Sequence, residues 1–533
     1  MAKEHGLLSN LKSYPPAVFL MLGNEFCERF SFYGMKAILT IYFIYEHGYS
    51  DSFATFVYHA FTCIAYLTPL AGSILADSYL GRFKVILYGS SIYVLGHMLL
   101  SFGAVPTLDI AVRTLFDFGG LFVIAVGTGS IKPCVSAFAA DQVSWLRFSE
   151  NESDLRAQFF SFFYFAINAG SLFAILLTPI LRGRVSCFGS LYCFPLAFGV
   201  PGVLMIIALL FFLSGWKMYK KHPPSHENIA SEVVGCIGLA SARTLFRRST
   251  KPVSHWLDRA APEHSSEMIE AVRSLINVAA IFGPLVFFWA LFDQQGSTWI
   301  LQARRLDGRI GWINALPEQI NILNPLIVII MVPVFEGIVY PFVRKGSIPC
   351  ALEGASDHCV TSAPLRHNIS ANSSIHLHPF NNILRTQLIA QYPFHSRKQI
   401  VASQDLISGN VDIRPAFFDN GEHTLCYGVG CEGTSCPNKI KSTVRPNTVS
   451  ILWVVPQFIV ITLGEVLLSG LEFAYSQSAP SMKSFLQAIW LLTIFMDNVI
   501  DMAISGSHII LEPAMEFFFF YTLLIIITMG IFI

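Results

Sequence analysis

A chain of 533 residues that is 53% hydrophobic and only 13% charged is too apolar for an ordinary soluble protein. Its formal net charge of zero offers no basic surface for nucleic acid. Several separate apolar runs reach the ~20 residues that a bilayer-crossing helix needs, so the chain reads as an all-α polytopic membrane protein. Met1–Tyr14 is polar and the first apolar run carries charges, so that run is expected to act as its own insertion signal, with no cleavable leader.

In chain order the candidate spans are Val18–Tyr45, Phe53–Ala76, Val85–Val105, Ile110–Ile131, Phe159–Ile180, Pro195–Leu213, Ile276–Ile300, Ile322–Val343, Val449–Phe473, Phe485–Ser505 and Ala514–Ile533. They divide the chain into a six-helix bundle (1–215), a basic linker (216–273) and the first part of a second bundle (274–345). A polar, cysteine-containing insert (346–448) and the last helices of that bundle (449–533) follow. The linker gathers Lys217, Lys220, Lys221, Arg243, Arg247, Arg248, Lys251, Arg259 and Arg273, which the positive-inside rule places in the cytoplasm together with the amino terminus. Within it, Glu232–Leu245 reads either as a surface-lying helix or as a loose tether. No Gly-x-x-x-x-Gly-Lys-Ser/Thr loop is present, which disfavours an ATP-driven pump in this chain.

The first span is the most informative. Glu25, Glu28 and Arg29 fall at i, i+3 and i+4, on one helical face. Each charge at the bilayer centre costs roughly 2.5–3.5 kcal/mol on insertion scales, so that face is expected to meet protein or a water-filled path. A buried structural ion-pair cluster is the plainer alternative to a proton or ion pathway.

The motif Glu25-x-x-Glu28-Arg29-Phe30-x-x-Tyr33-Gly34 resembles the first-helix signature of the proton-coupled oligopeptide transporters, a branch of the major facilitator superfamily. Four further stretches are similar to that family in order and spacing: Gly127–Gln142, Phe163–Leu172, Phe288–Ser297, and Gly464-Glu465 with Gly470–Ser476. The loop Gly72–Lys84 is similar to the superfamily's link between helices two and three. The animal intestinal and renal di- and tripeptide carriers are the nearest likeness. The implied fold has two helical bundles, of twelve spans in the family and about eleven here, with the ninth missing.

The resemblance implies a proton-coupled symporter that imports di- and tripeptides by alternating access, with protons as coupling ion and no other cofactor, metal or nucleic acid. It implies substrate contacts from Arg29, Tyr33, Tyr66, Lys132, Asn168, Trp289, Gln295, Asn324 and Glu472, and proton coupling through Glu25, Glu28, His59 and Lys132. Asp77, Arg82, Asp293 and Glu336 are expected to gate. Asn277 and Glu336 replace an Arg and an Asp that the family often pairs, and Phe32 replaces a common Tyr. Cys187 and Cys193 are a disulfide candidate, for which the family has a similar pair.

The chemistry suits such a cargo. A short peptide is a zwitterion, and its carboxylate matches the planar, permanently charged fork of Arg29. Its ammonium needs a buried carboxylate from the opposite bundle, and asparagine can both donate to and accept from an amide. The sequons at Asn368 and Asn372 and the cysteines Cys350, Cys359, Cys426, Cys431 and Cys436 fit an oxidising compartment, although span counting would begin that insert in the cytoplasm. The expectation is that a segment has been lost before it. Asp497 and Asp501 have no counterpart in these motifs and no role follows for them. Three alternatives stand: a carrier of another small solute on the same scaffold, a membrane enzyme using His59 and carboxylates, and a transport-dead binder or sensor lacking one helix.

Overall fold

The computed structural model describes residues 14–143, 152–221, 223–224, 229–245, 255–335, 423–425, 440–442, 449–467 and 483–507. Glu336, Asn368, Asn372, Glu472, the span Ala514–Ile533 and nearly all of the polar insert lie outside the described residues.

Six helices form the first bundle: α1 (Pro16–Tyr45), α2 (Asp51–Ile74), α3 (Arg82–Gly103), α4 (Ile110–Val143), α5 (Glu152–Arg184) and α6 (Phe194–Ser214). Helix is the expected answer to a solvent that cannot hydrogen-bond the backbone. Local signals set the ends. The Ser50 hydroxyl accepts from the Phe53 amide to cap α2, and Asp51 follows in its first turn. α2 ends as a π-turn, Leu75–Leu80, and Gly81 at φ 79° reverses the chain into α3. α4 runs past the expected Ile131 and through Pro133, because the apolar sequence continues to Val143.

Lipid is as apolar as leucine, so helices associate through close backbone approach more than through water exclusion. The glycines of α3 and α4 permit that approach. A Cβ on Gly120 would lie 2.8 Å from the Leu100 amide nitrogen, and one on Gly96 would lie 2.7 Å from that of Ile124. Gly120→Ala is therefore expected to destabilise the protein by about 1–3 kcal/mol through overpacking. A thermal melt of the purified protein checks this, and an unchanged midpoint would contradict the packing argument. Elsewhere in the bundle, aromatic rings fill the interior: Tyr42 meets Phe43, Phe194 and Phe198 at one end, and Phe83 stacks on Phe212 near Tyr219 at the other. Leu115, Phe122, Phe165 and Val203 remain exposed, as a lipid-facing surface requires.

The linker is ordered where described. Helix α7 (Ile229–Leu245) contains the expected Glu232–Leu245 and buries Val233, Cys236 and Ala240 with Leu257, Ile269 and Val272. It is thus packed against the next helix, α8 (Ser266–Phe282), and the loose-tether reading does not hold. α8 begins well before the expected boundary at 273.

The seventh span departs most from expectation. Ile276–Ile300 is not one helix but α8, α9 (Leu285–Asp293), a 3₁₀ turn Gln294–Gly296 and α10 (Thr298–Arg304). Gly283-Pro284 breaks the first junction, since proline has no amide to donate and glycine resists helical order. Hydropathy cannot register such a break. The next span starts as a 3₁₀ turn, Pro317–Ile322, before α11 (Leu323–Val334), and α12 (Val455–Leu467) and α13 (Lys483–Ser507) complete the described second bundle. Short two-stranded ribbons, Arg309–Ile310 with Ile313–Asn314 and His423–Leu425 with Ile440–Ser442, lie in polar loops.

Candidate functional site

The charged face of α1 is buried in protein, as its spacing predicts. Glu25 and Glu28 are 2% exposed, and Arg29 holds both: its Nε lies 2.6 Å from Glu25 Oε1 and 3.0 Å from Glu28 Oε2. Among the described residues no protein acceptor occupies the two terminal nitrogens of Arg29, so its outer fork stays available to a further anion. Thr128 of α4 donates to Glu28 Oε1 at 3.3 Å, tying the cluster to a second helix.

Lys132 makes no salt bridge with these carboxylates among the described residues, although it acts electrostatically on Glu28. Its Nζ lies 3.9 Å from the centre of the Tyr66 ring and 4.3 Å from that of Phe32, with no hydrogen-bond partner among the described residues. Two ring faces replace a carboxylate as its counterpart. Phe32, the departure from the common Tyr, is one of those rings. Tyr33 meets Phe32 edge-on, so Tyr33, Tyr66, Lys132 and Arg29 share one wall.

The opposite wall comes from the second bundle. Asn324, at the start of α11, donates through Nδ2 to Glu465 Oε2 at 2.8 Å and to Thr462 Oγ1 at 3.2 Å, both on α12. Glu465 makes no ion pair among the described residues. The sequence reading chose Glu472 for the ammonium of a cargo, but Glu472 lies outside the described residues and the carboxylate visible here is Glu465, seven residues earlier. Trp289 packs edge-on against Trp490 and Phe292, and among the described residues its Nε1 lacks an acceptor, as Gln295 Nε2 does. Asn168 donates instead to the Tyr164 carbonyl of its own helix at 2.9 Å, the plain structural use of such a side chain.

The gating residues resolve into two groups. Arg82 reaches Asp77 at 3.5 Å, as expected, and also Asp141 of α4 at 3.0 Å, which the sequence reading missed. Asp293 pairs across the bundles with Lys36, whose Nζ is 3.3 Å from Asp293 Oδ1. Lys36 also went unnoticed, although it sits seven residues after Arg29 on the same helix. His59 is fully buried and faces the second bundle: Nε2 lies 3.0 Å from Ser297 Oγ, and Nδ1 lies 2.9 Å from Asn498 Oδ1 and 3.6 Å from Asp501 Oδ2.

Further bonds cross between the bundles. Arg304 and Arg305 pair with Asp51 at 3.0 and 3.2 Å, Thr40 donates to the Gly296 carbonyl, and Arg182 meets Glu318 at 2.5 Å. Arg184 donates to the Asn314 carbonyl and Gln319 to that of Leu176. Among the described residues every such bond falls towards the end of the bundles that carries the Cys187–Cys193 loop, where the candidate disulfide is formed. The two bundles are thus joined on that side.

Two helical bundles that carry buried charges and aromatic rings on facing elements and are latched at one end define a multi-pass membrane transporter fold. The POT family profile matches residues 83–352. "Peptide transporter 3" of Caenorhabditis elegans is 49% identical, over 100% of this chain and 94% of that protein. "Solute carrier family 15 member 2" of Rattus norvegicus is 34% identical, over 97% of this chain and 88% of that protein. The chain belongs to the POT family.

The solved structure of the POT family transporter PepTSo has the same fold, with a TM-score of 0.69 at 24% identity over 97% of both chains. A crystal structure of a proton dependent oligopeptide (POT) family transporter gives 0.62 at 26% identity, over 96% of this chain and 100% of that one. The C. elegans alignment runs over 663 positions against the 533 residues of this chain, so about 130 positions of that relative stand opposite gaps here.

Proposed function

We propose that this chain is a proton-coupled symporter importing di- and tripeptides across the plasma membrane, with its amino terminus in the cytoplasm. The observation that carries the reading is that Arg29 on the first bundle and Glu465, beside Asn324 on the second, both lie near enough to Tyr33 to act on it electrostatically. The outer fork of Arg29 takes the peptide carboxylate, and Glu465, which makes no ion pair among the described residues, takes the ammonium. Asn324 serves the amide, and Tyr33, Tyr66 and Trp289 form the walls for variable side chains. A simple anion would have no use for Glu465, which is why the zwitterion is favoured over nitrate-like cargo. With the disulfide loop outside, the latched end is the outer one and the pocket opens inward.

Protons are the coupling ion, taken by Glu25, Glu28 and His59, whose partners change when the bundles move. Asn368 and Asn372 lie in an insert assigned to the outside, where glycosylation and disulfides occur. We read the gap of about 130 positions as falling in the region of the ninth helix and the outer domain.

Expression in a cell with little background uptake tests the proposal. A labelled, hydrolysis-resistant dipeptide is offered at an outer pH of about 5.5 and about 7.5, either side of the ordinary histidine range. Saturable uptake that rises at the acid pH, is competed by dipeptides but not by free amino acids, and is lost in Glu465→Gln is the expected result. Protein at the surface without uptake would sink it, and restoring a ninth helix would be the next step.

A further inference from the structure

Asp497 and Asp501, one turn apart on α13, are 0% and 1% exposed and face the first bundle across its boundary with the second. Asn498 organises the space between them and α9. Its Nδ2 donates to Asp293 Oδ2 at 2.7 Å and to Asp497 Oδ1 at 2.8 Å, and its Oδ1 faces His59 Nδ1. Around the two aspartates stand Lys36 from α1, Tyr58, His59 and Cys63 from α2, and Asp293 from α9.

Asp497 stands beside Asp293 and Asp501, and Lys36, the one permanent cation of the cluster among the described residues, is bound to Asp293. Asp497 Oδ2 is buried and meets no donor among the described residues. An uncompensated carboxylate in a dry interior is costly, and binding a proton removes the charge. His59 is placed to share it. With Ser297 at Nε2 and the Asn498 carbonyl oxygen at Nδ1, the neutral ring carries its proton on Nδ1, and a second proton on Nε2 would make an imidazolium 3.6 Å from Asp501.

We propose that Asp497, Asp501 and His59 together hold one exchangeable proton at the boundary between the bundles, separate from any held by Glu25 and Glu28. As part of a cycle this rests on the symport reading above. The proton is taken from water when the bundles part at the latched end, and is held between the aspartates and His59 when they close. It leaves to water through the pocket. Because His59 sits on one bundle and both aspartates on the other, each opening separates the groups that share it. A static polar cluster would neither gain nor lose a proton.

Infrared difference spectroscopy of the purified full chain between about pH 5.5 and about pH 8 reads the site without transport. A protonated-carboxyl band that titrates in this window and is lost in Asp501→Asn or in Asp497→Asn is expected. A wild-type spectrum with no such band overturns the proposal, as does one whose band survives both substitutions. If neither variant folds, Asp497→Glu keeps the carboxyl and is expected to shift the band's frequency; a band unmoved in that variant, or no titrating band in the wild type, overturns the proposal. Reversal potentials with a neutral dipeptide then count protons per cycle, and Asp501→Asn is expected to move one fewer. An unchanged ratio in a transporting variant overturns the coupling role. A titrating band lost in the variants, with no wild-type current, supports the proton site and counts against the symport reading alone.

Discussion

Arg29→Lys is expected to lower dipeptide affinity on the order of 30-fold or more while leaving the protein at the cell surface. Lysine keeps the charge near Glu25 and Glu28 but loses the planar fork that binds a carboxylate through two parallel hydrogen bonds. Truncating one partner of a buried, hydrogen-bonded charge pair costs roughly 2–5 kcal/mol, and each ~1.4 kcal/mol is tenfold in affinity. Arg29→Ala is expected to fail differently. It leaves two carboxylates buried without their cation, at a cost of about 3–5 kcal/mol in stability, so loss of surface protein precedes any reading of transport. Competition by unlabelled dipeptides against a labelled one measures the first effect, and surface labelling measures the second. An Arg29→Lys protein with unchanged dipeptide competition would remove Arg29 from the binding site.

The cluster around Arg29 was legible because its three charges lie within one turn and a half of helix, where periodicity alone puts them together. Lys36 obeys the same periodicity, but its partner Asp293 is 257 residues away and only the fold joins them. Glu465 shows a different limit: no spacing within its own helix points to it, and what marks it as a site carboxylate is the Asn324 amide from another helix. Glu472, which the resemblance put forward, lies outside the described residues. His59 was singled out through a resemblance, while the aspartates opposite it had no motif to announce them. The broken seventh span was misjudged because apolar residues continue through Gly283-Pro284 without interruption.

The latch at the closed end differs in kind among its members. Asp51 with Arg304 and Arg305 is partly exposed, and pairs of that sort contribute at most about 1 kcal/mol. Arg182 and Glu318 are 3% and 0% exposed, 2.5 Å apart, with the rings of Tyr45, Tyr192 and Phe194 around the guanidinium. Buried charges of this type are sensitive to the loss of one partner but far less to the loss of both. Glu318→Ala is therefore expected to weaken the closed end by about 3–5 kcal/mol, because Arg182 is left buried and unpaired. Moving a two-state equilibrium from 99:1 to 1:99 takes roughly 5.5 kcal/mol, so a change of that size redistributes the open and closed populations substantially.

Replacing both, as Arg182→Met with Glu318→Leu, is expected to recover most of the loss. Distances between spin labels on α5 and α11, measured for the two single variants and the double, give the coupling directly. If the single substitutions leave the distance distribution as closed as the wild type, the pair is not a latch, and the closed end is held by the aromatic packing and the remaining hydrogen bonds.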